Sequence, residues 1–126
     1  MVRILIIDDS NFMRTVLRRF LEWAGHAVIE AEDGVQGVEL YKQERPELVI
    51  SDIVMPKKDG IATLRELREL DPQAKVIAIS DGSRTGDQDY LAVARRHGAN
   101  ATLAKPFGRE VIVALVDHIL GNGDHA

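Results

Sequence analysis

Five short runs of branched apolar residues recur along the chain at similar distances: Val2 to Ile7, Ala27 to Ala31, Leu48 to Ser51, Val76 to Ser80 and Ala101 to Ala104. Continuous rather than alternating apolar runs suit strands covered on both faces, which is the condition of a parallel sheet. Between them the apolar spacing changes to three and four. Met13, Val16, Leu17, Phe20, Leu21 and Ala24 line one helical face, and Gly25 stands where a C-terminal cap is expected. A second helix carries Gly34, Val38 and Tyr41 and closes before Pro46, and a third carries Ile61, Leu64 and Leu67 and closes before Pro72. Arg84 to His97 has the thinnest stripe, with Leu91 and Ala94 inward and Gly98 as its stop. Val111, Ile112, Leu115 and Ile119 form the last helix, ended by Gly121.

Strand and helix alternate five times, which predicts an α/β doubly wound domain: parallel neighbours need crossovers, and right-handed crossovers place helices on both faces. A chain of 126 residues is one domain's length, so residues 1–121 are expected to form it, with 122–126 as a short polar tail. Internal repeats and low-complexity tracts are absent from the sequence.

In such sheets ligands gather beyond the carboxyl ends of the strands, so the residues there carry the functional information. The first strand ends in Asp8-Asp9-Ser10, the third in Ser51-Asp52, the fourth in Ser80-Asp81 and the fifth in Lys105-Pro106. If the strand order is 2-1-3-4-5, one of the two common doubly wound orders, those four strands are neighbours. Carboxylates crowded together repel unless a cation neutralises them, and an oxygen-only donor set selects a hard ion, with Mg²⁺ the natural candidate. Lys105 suits a phosphate-like oxygen and the Ser80 hydroxyl can donate to another. An aspartate can also act as a nucleophile toward phosphorus, and Asp52, at the end of the central strand, is the candidate, with Asp8 and Asp9 beside it as metal holders.

Composition narrows the field. The absence of cysteine excludes disulfides, thiolate metal sites and a cysteine nucleophile, and fits a cytoplasmic protein. A net charge of −4 disfavours a nucleic-acid binder held by charge, and no apolar run approaches a membrane span. Neither nucleic acid nor membrane is therefore an expected partner.

Asp8-Asp9, the stretch Asp52-Ile53-Val54-Met55-Pro56-Lys57-Lys58-Asp59-Gly60, Ser80 and Lys105-Pro106-Phe107, in that order, resemble the response regulator receiver domain of two-component signalling, in its single-domain, CheY-like form. Ala31-Glu32-Asp33-Gly34 fits the same pattern, and the resemblance covers essentially the whole chain. It implies a phosphorylation switch in which Asp52 takes a phosphoryl group from the phosphohistidine of a sensor histidine kinase or phosphotransfer protein, or from a small phosphodonor. It further implies that Asp9, Asp52 and the Val54 carbonyl touch Mg²⁺, with Asp8 acting through water, and that Lys105 and Ser80 hold phosphoryl oxygens. A cis Lys105-Pro106 bond and a Gly60 that opens helix three where a side chain is unwelcome are also implied. The expected output is an altered surface of helix four, strand five and helix five that meets a downstream target protein. The chain is expected to be monomeric, a phosphorylation-dependent dimer being the alternative.

Two positions depart from the family: Thr102 stands where an aromatic is usual, and Asp81 where a small residue is usual. Val54 and Gly82, at positions that the resemblance implies tune dephosphorylation, offer no carboxylate or amide to orient a water, so slow loss of the phosphoryl group is expected. Taken singly, each feature has a plainer explanation. Asp8-Asp9 could cap the first helix, Lys105 could be a solvated lysine before a turn, Ser80 an ordinary strand end, and the four histidines solvated residues at element ends. A flavodoxin-like ligand binder would want a hydroxyl- and glycine-rich cradle after the first strand, where two aspartates stand instead. A haloacid-dehalogenase-type phosphatase would want an acid two residues after its nucleophile, where Val54 stands.

Overall fold

The branched runs form the strands of one parallel sheet and the periodic stretches its helices. In chain order these are β1 (Arg3–Ile7), α1 (Asn11–Trp23), β2 (Ala27–Ala31), α2 (Gly34–Glu44), β3 (Leu48–Asp52), α3 (Gly60–Leu70), β4 (Val76–Ser80), α4 (Tyr90–Arg96), β5 (Ala101–Ala104) and α5 (Arg109–Leu120). The structure, a computed structural model, describes residues 2–53, 60–80 and 90–121. Val54, Asp81, Gly82, the expected first turns of helix four from Arg84, and the 122–126 tail lie outside the described residues, as do the side chains of Tyr90 and Leu91.

The sheet order is β2-β1-β3-β4-β5, every pairing parallel. Alternation explains why the runs are apolar throughout. Ile4, Ile6, Leu48, Ile50, Ile77 and Ile79 point to one face, against Leu17 and Leu21 of α1 and Ile112 and Val116 of α5. Leu5, Ile7, Val49, Val76 and Ala78 point to the other, against Val38 and Tyr41 of α2, Leu64 and Leu67 of α3 and Ala94 of α4. Each fully buried Leu or Ile contributes about 1.5–3 kcal/mol, and the three central strands, buried on both faces, become the rigid frame of the molecule.

Element ends differ slightly from the sequence expectation. β1 starts at Arg3 rather than Val2, and β3 runs one residue further, so Asp52 is its last residue rather than the residue after it. Helix α1 is capped by Ser10, whose hydroxyl accepts the Met13 N–H, and not by the aspartate pair. Gly25 and Gly121 hold positive φ after α1 and α5. His26 is not solvated as expected: it is 8% exposed, and its Nδ1 accepts the Val2 N–H at 3.4 Å, because the turn into β2 tucks it beneath the start of β1. No helix among the described residues is long and apolar enough to cross a membrane.

Candidate functional site

Strands β1, β3, β4 and β5 end side by side, and their last residues build the site. Asp8, just past β1, is fully buried; its N–H donates to the Ala31 carbonyl and its Oδ1 accepts the Ser10 N–H. Asp52 is held in register against Ile79 of β4, and the Ser51 hydroxyl donates to its carbonyl at 3.0 Å. Asp9 is exposed, yet one carboxylate oxygen from each of Asp8, Asp9 and Asp52 lies within 4.8 Å of the others. Lys105 enters from the far side of β4: its N–H donates to the Ser80 carbonyl at 2.7 Å, and its Nζ reaches Asp8 Oδ2 at 3.3 Å and Asp52 Oδ2 at 3.4 Å. Ser80 itself is buried at the end of β4, and the Lys105–Pro106 bond is cis.

Burial works against the charge on Lys105, but the facing carboxylates of Asp52 and Asp8 more than offset it and hold its pKa above that of an ordinary lysine. Among the described residues, one ammonium faces three carboxylates, an excess of negative charge. Hard oxygen donors, excess negative charge and close ligand atoms fit a small divalent cation.

Gly60 is required by the same corner of the fold. A Cβ there would stand 2.3 Å from the Asp52 carbonyl and 2.3 Å from Ile53 Cα, so α3 can start this close to the end of β3 only without a side chain. Thr102 has a defined partner: its hydroxyl accepts from the Arg95 guanidinium of α4 at 3.1 Å. Asp8, Asp9, Asp52 and Lys105 are thus brought together, and Ser80 shares their sheet edge; Val54 lies outside the described residues.

One participant escaped the sequence analysis. Arg14, in the first turns of α1, bends back so that a terminal guanidinium nitrogen donates to the Asp8 carbonyl at 2.6 Å while Nε pairs with Glu30 of β2 at 2.9 Å. The signal was present in the sequence: a cation near a helix N-terminus runs against the helix dipole and needs a separate reason.

Comparison with known proteins bears on this geometry. The sequence profile of the response regulator receiver domain matches residues 4–117. The chain is 40% identical over 119 residues to the chemotaxis protein CheY of Bacillus subtilis, covering 94% of this chain and 97% of that one. It is 37% identical over 118 residues to CheY of Halobacterium salinarum, covering 94% and 96%. Among solved structures, a receiver domain protein from Clostridium thermocellum superposes with a TM-score of 0.88 at 28% identity, covering 96% of this chain and 95% of that one. CheY of Borrelia burgdorferi, solved as a CheX–CheY–BeF3–Mg complex, gives 0.85 at 32% identity, with 94% and 88% covered. A match spanning nearly the whole domain, on a sheet of the same order with an acidic pouch at its carboxyl edge, means that the chain belongs to the response regulator receiver domain family.

Proposed function

We propose that this response regulator domain accepts a phosphoryl group on Asp52 and signals through altered protein contacts. The observation that carries the reading is the Lys105 ammonium held between Asp8 and Asp52, a charge poised where phosphoryl oxygens would arrive. Asp9 and Asp52, with Asp8 behind them and the Val54 carbonyl, would hold Mg²⁺, and a bound Mg²⁺ supplies neutralisation of charge on the transferring group. Support for that ion comes from the oxygen-only donor set and from the related Borrelia CheY, whose complex contains BeF3, a phosphoryl mimic, and Mg.

The chain's own groups do the rest. An Asp52 carboxylate oxygen attacks phosphorus, the O–P bond forms as the N–P bond of a phosphohistidine breaks, and the imidazole leaves and takes up a proton. Lys105 and the Ser80 hydroxyl hold the phosphoryl oxygens, and the rigid β3 end keeps Asp52 aimed. A sensor histidine kinase, a phosphotransfer protein or a small phosphodonor would supply the group, and a downstream protein would read the α4, β5 and α5 surface. We place this exchange in the cytoplasm, with the chain monomeric before phosphorylation. Asp81, Val54 and Gly82 underlie the further expectation that the phosphoryl group is lost slowly: a half-life of minutes or more in the isolated protein fits, and one of seconds does not.

Asp52→Asn tests the core of this. Incubation with acetyl phosphate and Mg²⁺ should add an alkali-labile phosphoryl group to the parent and none to the variant, whose circular dichroism should stay native. Equal labelling of the variant would move the acceptor elsewhere.

A further inference from the structure

We infer that Arg14 is a positioning residue for cation binding, acting by clamping the peptide that joins Asp8 to Asp9; this rests on the functional reading above. Besides the Lys105 contact to its Oδ2, three bonds hold Asp8: its N–H to the Ala31 carbonyl at 3.1 Å, its Oδ1 to the Ser10 N–H at 2.9 Å, and its carbonyl to the Arg14 guanidinium at 2.6 Å. The first two set the strand end and the side chain of Asp8. The third fixes the plane of the following peptide, and with it the direction in which the exposed Asp9 side chain leaves the backbone.

A simple ion pair between α1 and β2 does not account for Arg14. Glu30 already has a guanidinium partner in Arg18, at 2.5 Å, and burial of Glu30 is offset by both arginines together, Arg18 first. Arg14 is the more deeply placed of the two, its side chain 11% exposed against 35% for Arg18. It also donates to the Asn11 side chain, which pins it across the start of α1. A cation there opposes the helix dipole, so its placement serves the loop and not the helix. Arg14 touches no reacting atom; it acts through Asp8 and Asp9, as residues behind a metal's ligands generally do.

Calorimetric titration of the full chain with MgCl₂, paired with labelling by acetyl phosphate, separates the possibilities. Arg14→Met should raise the Mg²⁺ dissociation constant about tenfold, while labelling at saturating Mg²⁺ returns to within about twofold of the parent. Arg14→Lys, which keeps the charge but cannot reach both partners, should recover only part of the affinity. Glu30→Gln loosens the same α1–β2 pair without touching the Asp8 carbonyl, and should leave the dissociation constant within about twofold. Unchanged affinity in Arg14→Met, full recovery in Arg14→Lys, or an equal loss in Glu30→Gln overturns the inference while labelling of the parent at Asp52 leaves the functional reading standing. A parent that neither binds Mg²⁺ nor takes label overturns both.

Discussion

The two edges of the sheet use charge in opposite ways. At the amino edge the described polar groups pair off. Arg3 bonds Glu44 and Glu47, Tyr41 donates to Asp71 at 2.9 Å, and Arg68 alone spans the carbonyls of Pro72, Ala74 and Gly98 and the Asn100 side chain. At the carboxyl edge Asp8 and Asp52 are buried with Asp9 beside them, and among the described residues the Lys105 ammonium stands against Asp8 and Asp52. Paired polar groups contribute modestly to stability, whereas clustered like charges cost stability and persist where an arriving ion or phosphoryl group balances them. Among the described residues, the pairing of charges, not their number, separates the two edges.

The severest way to break the carboxyl edge is steric. Gly60→Ala forces a Cβ against the Asp52 carbonyl and the Ile53 backbone, neither of which can swing aside. It should cost about 3 kcal/mol, the upper end of overpacking, read as a lower urea midpoint, and should displace Asp52 enough to slow labelling as well. A variant as stable and as quickly labelled as the parent would mean that α3 can move away from β3. Lys105→Met acts on charge alone. It should slow labelling about a hundredfold, the usual consequence of losing one preorganised charge donor, in a domain that stays folded; a loss under about threefold would demote Lys105 to a structural counter-ion.

Removing charge from the amino edge should do the reverse. Arg68→Met strips four acceptors in the turns before β4 and β5 of one shared donor, and should cost about 2 kcal/mol of stability with labelling rates unchanged. A slowed reaction there would show that the two edges are coupled through β4.

This contrast was only half legible beforehand. Strand and helix identities followed from spacing, because both faces of the central strands are covered and leave an unbroken apolar run. The carboxyl-edge residues were legible because each ends a strand, and strand ends can be counted along the chain. Helix four had the thinnest stripe, read from Arg84; the described residues hold Tyr90–Arg96 of it, and 84–89 lie outside them. The position of Arg14 marked it as out of place, but the partners of Arg14, Arg68 and Arg95 were not legible, since a long side chain's partner is chosen by folding: Arg68 meets Asn100, 32 positions away. His26 was misread for a related reason, a polar residue before a strand being solvated unless the neighbouring strand begins above it.

That misreading leads to the smallest expected effect and the most selective one. Burial lowers the His26 pKa below the ordinary histidine value of about 6.5, with the nearby Asp117 carboxylate partly opposing the shift. In the window between the ordinary and the lowered value, the unfolded chain carries a proton that the folded chain does not, so acid favours unfolding. The histidine's contribution is therefore complete above about pH 6.5 and is lost as the pH falls through that window. Urea midpoints measured from pH 7.5 down to 5 should decline in the parent, and His26→Gln should flatten the decline in that range. Asp117→Asn, by removing the opposing charge, should deepen it. The amino edge would then register pH in stability while labelling at fixed pH is the same in all three proteins. Identical slopes in parent and His26→Gln would show that His26 is not the source of the acid sensitivity.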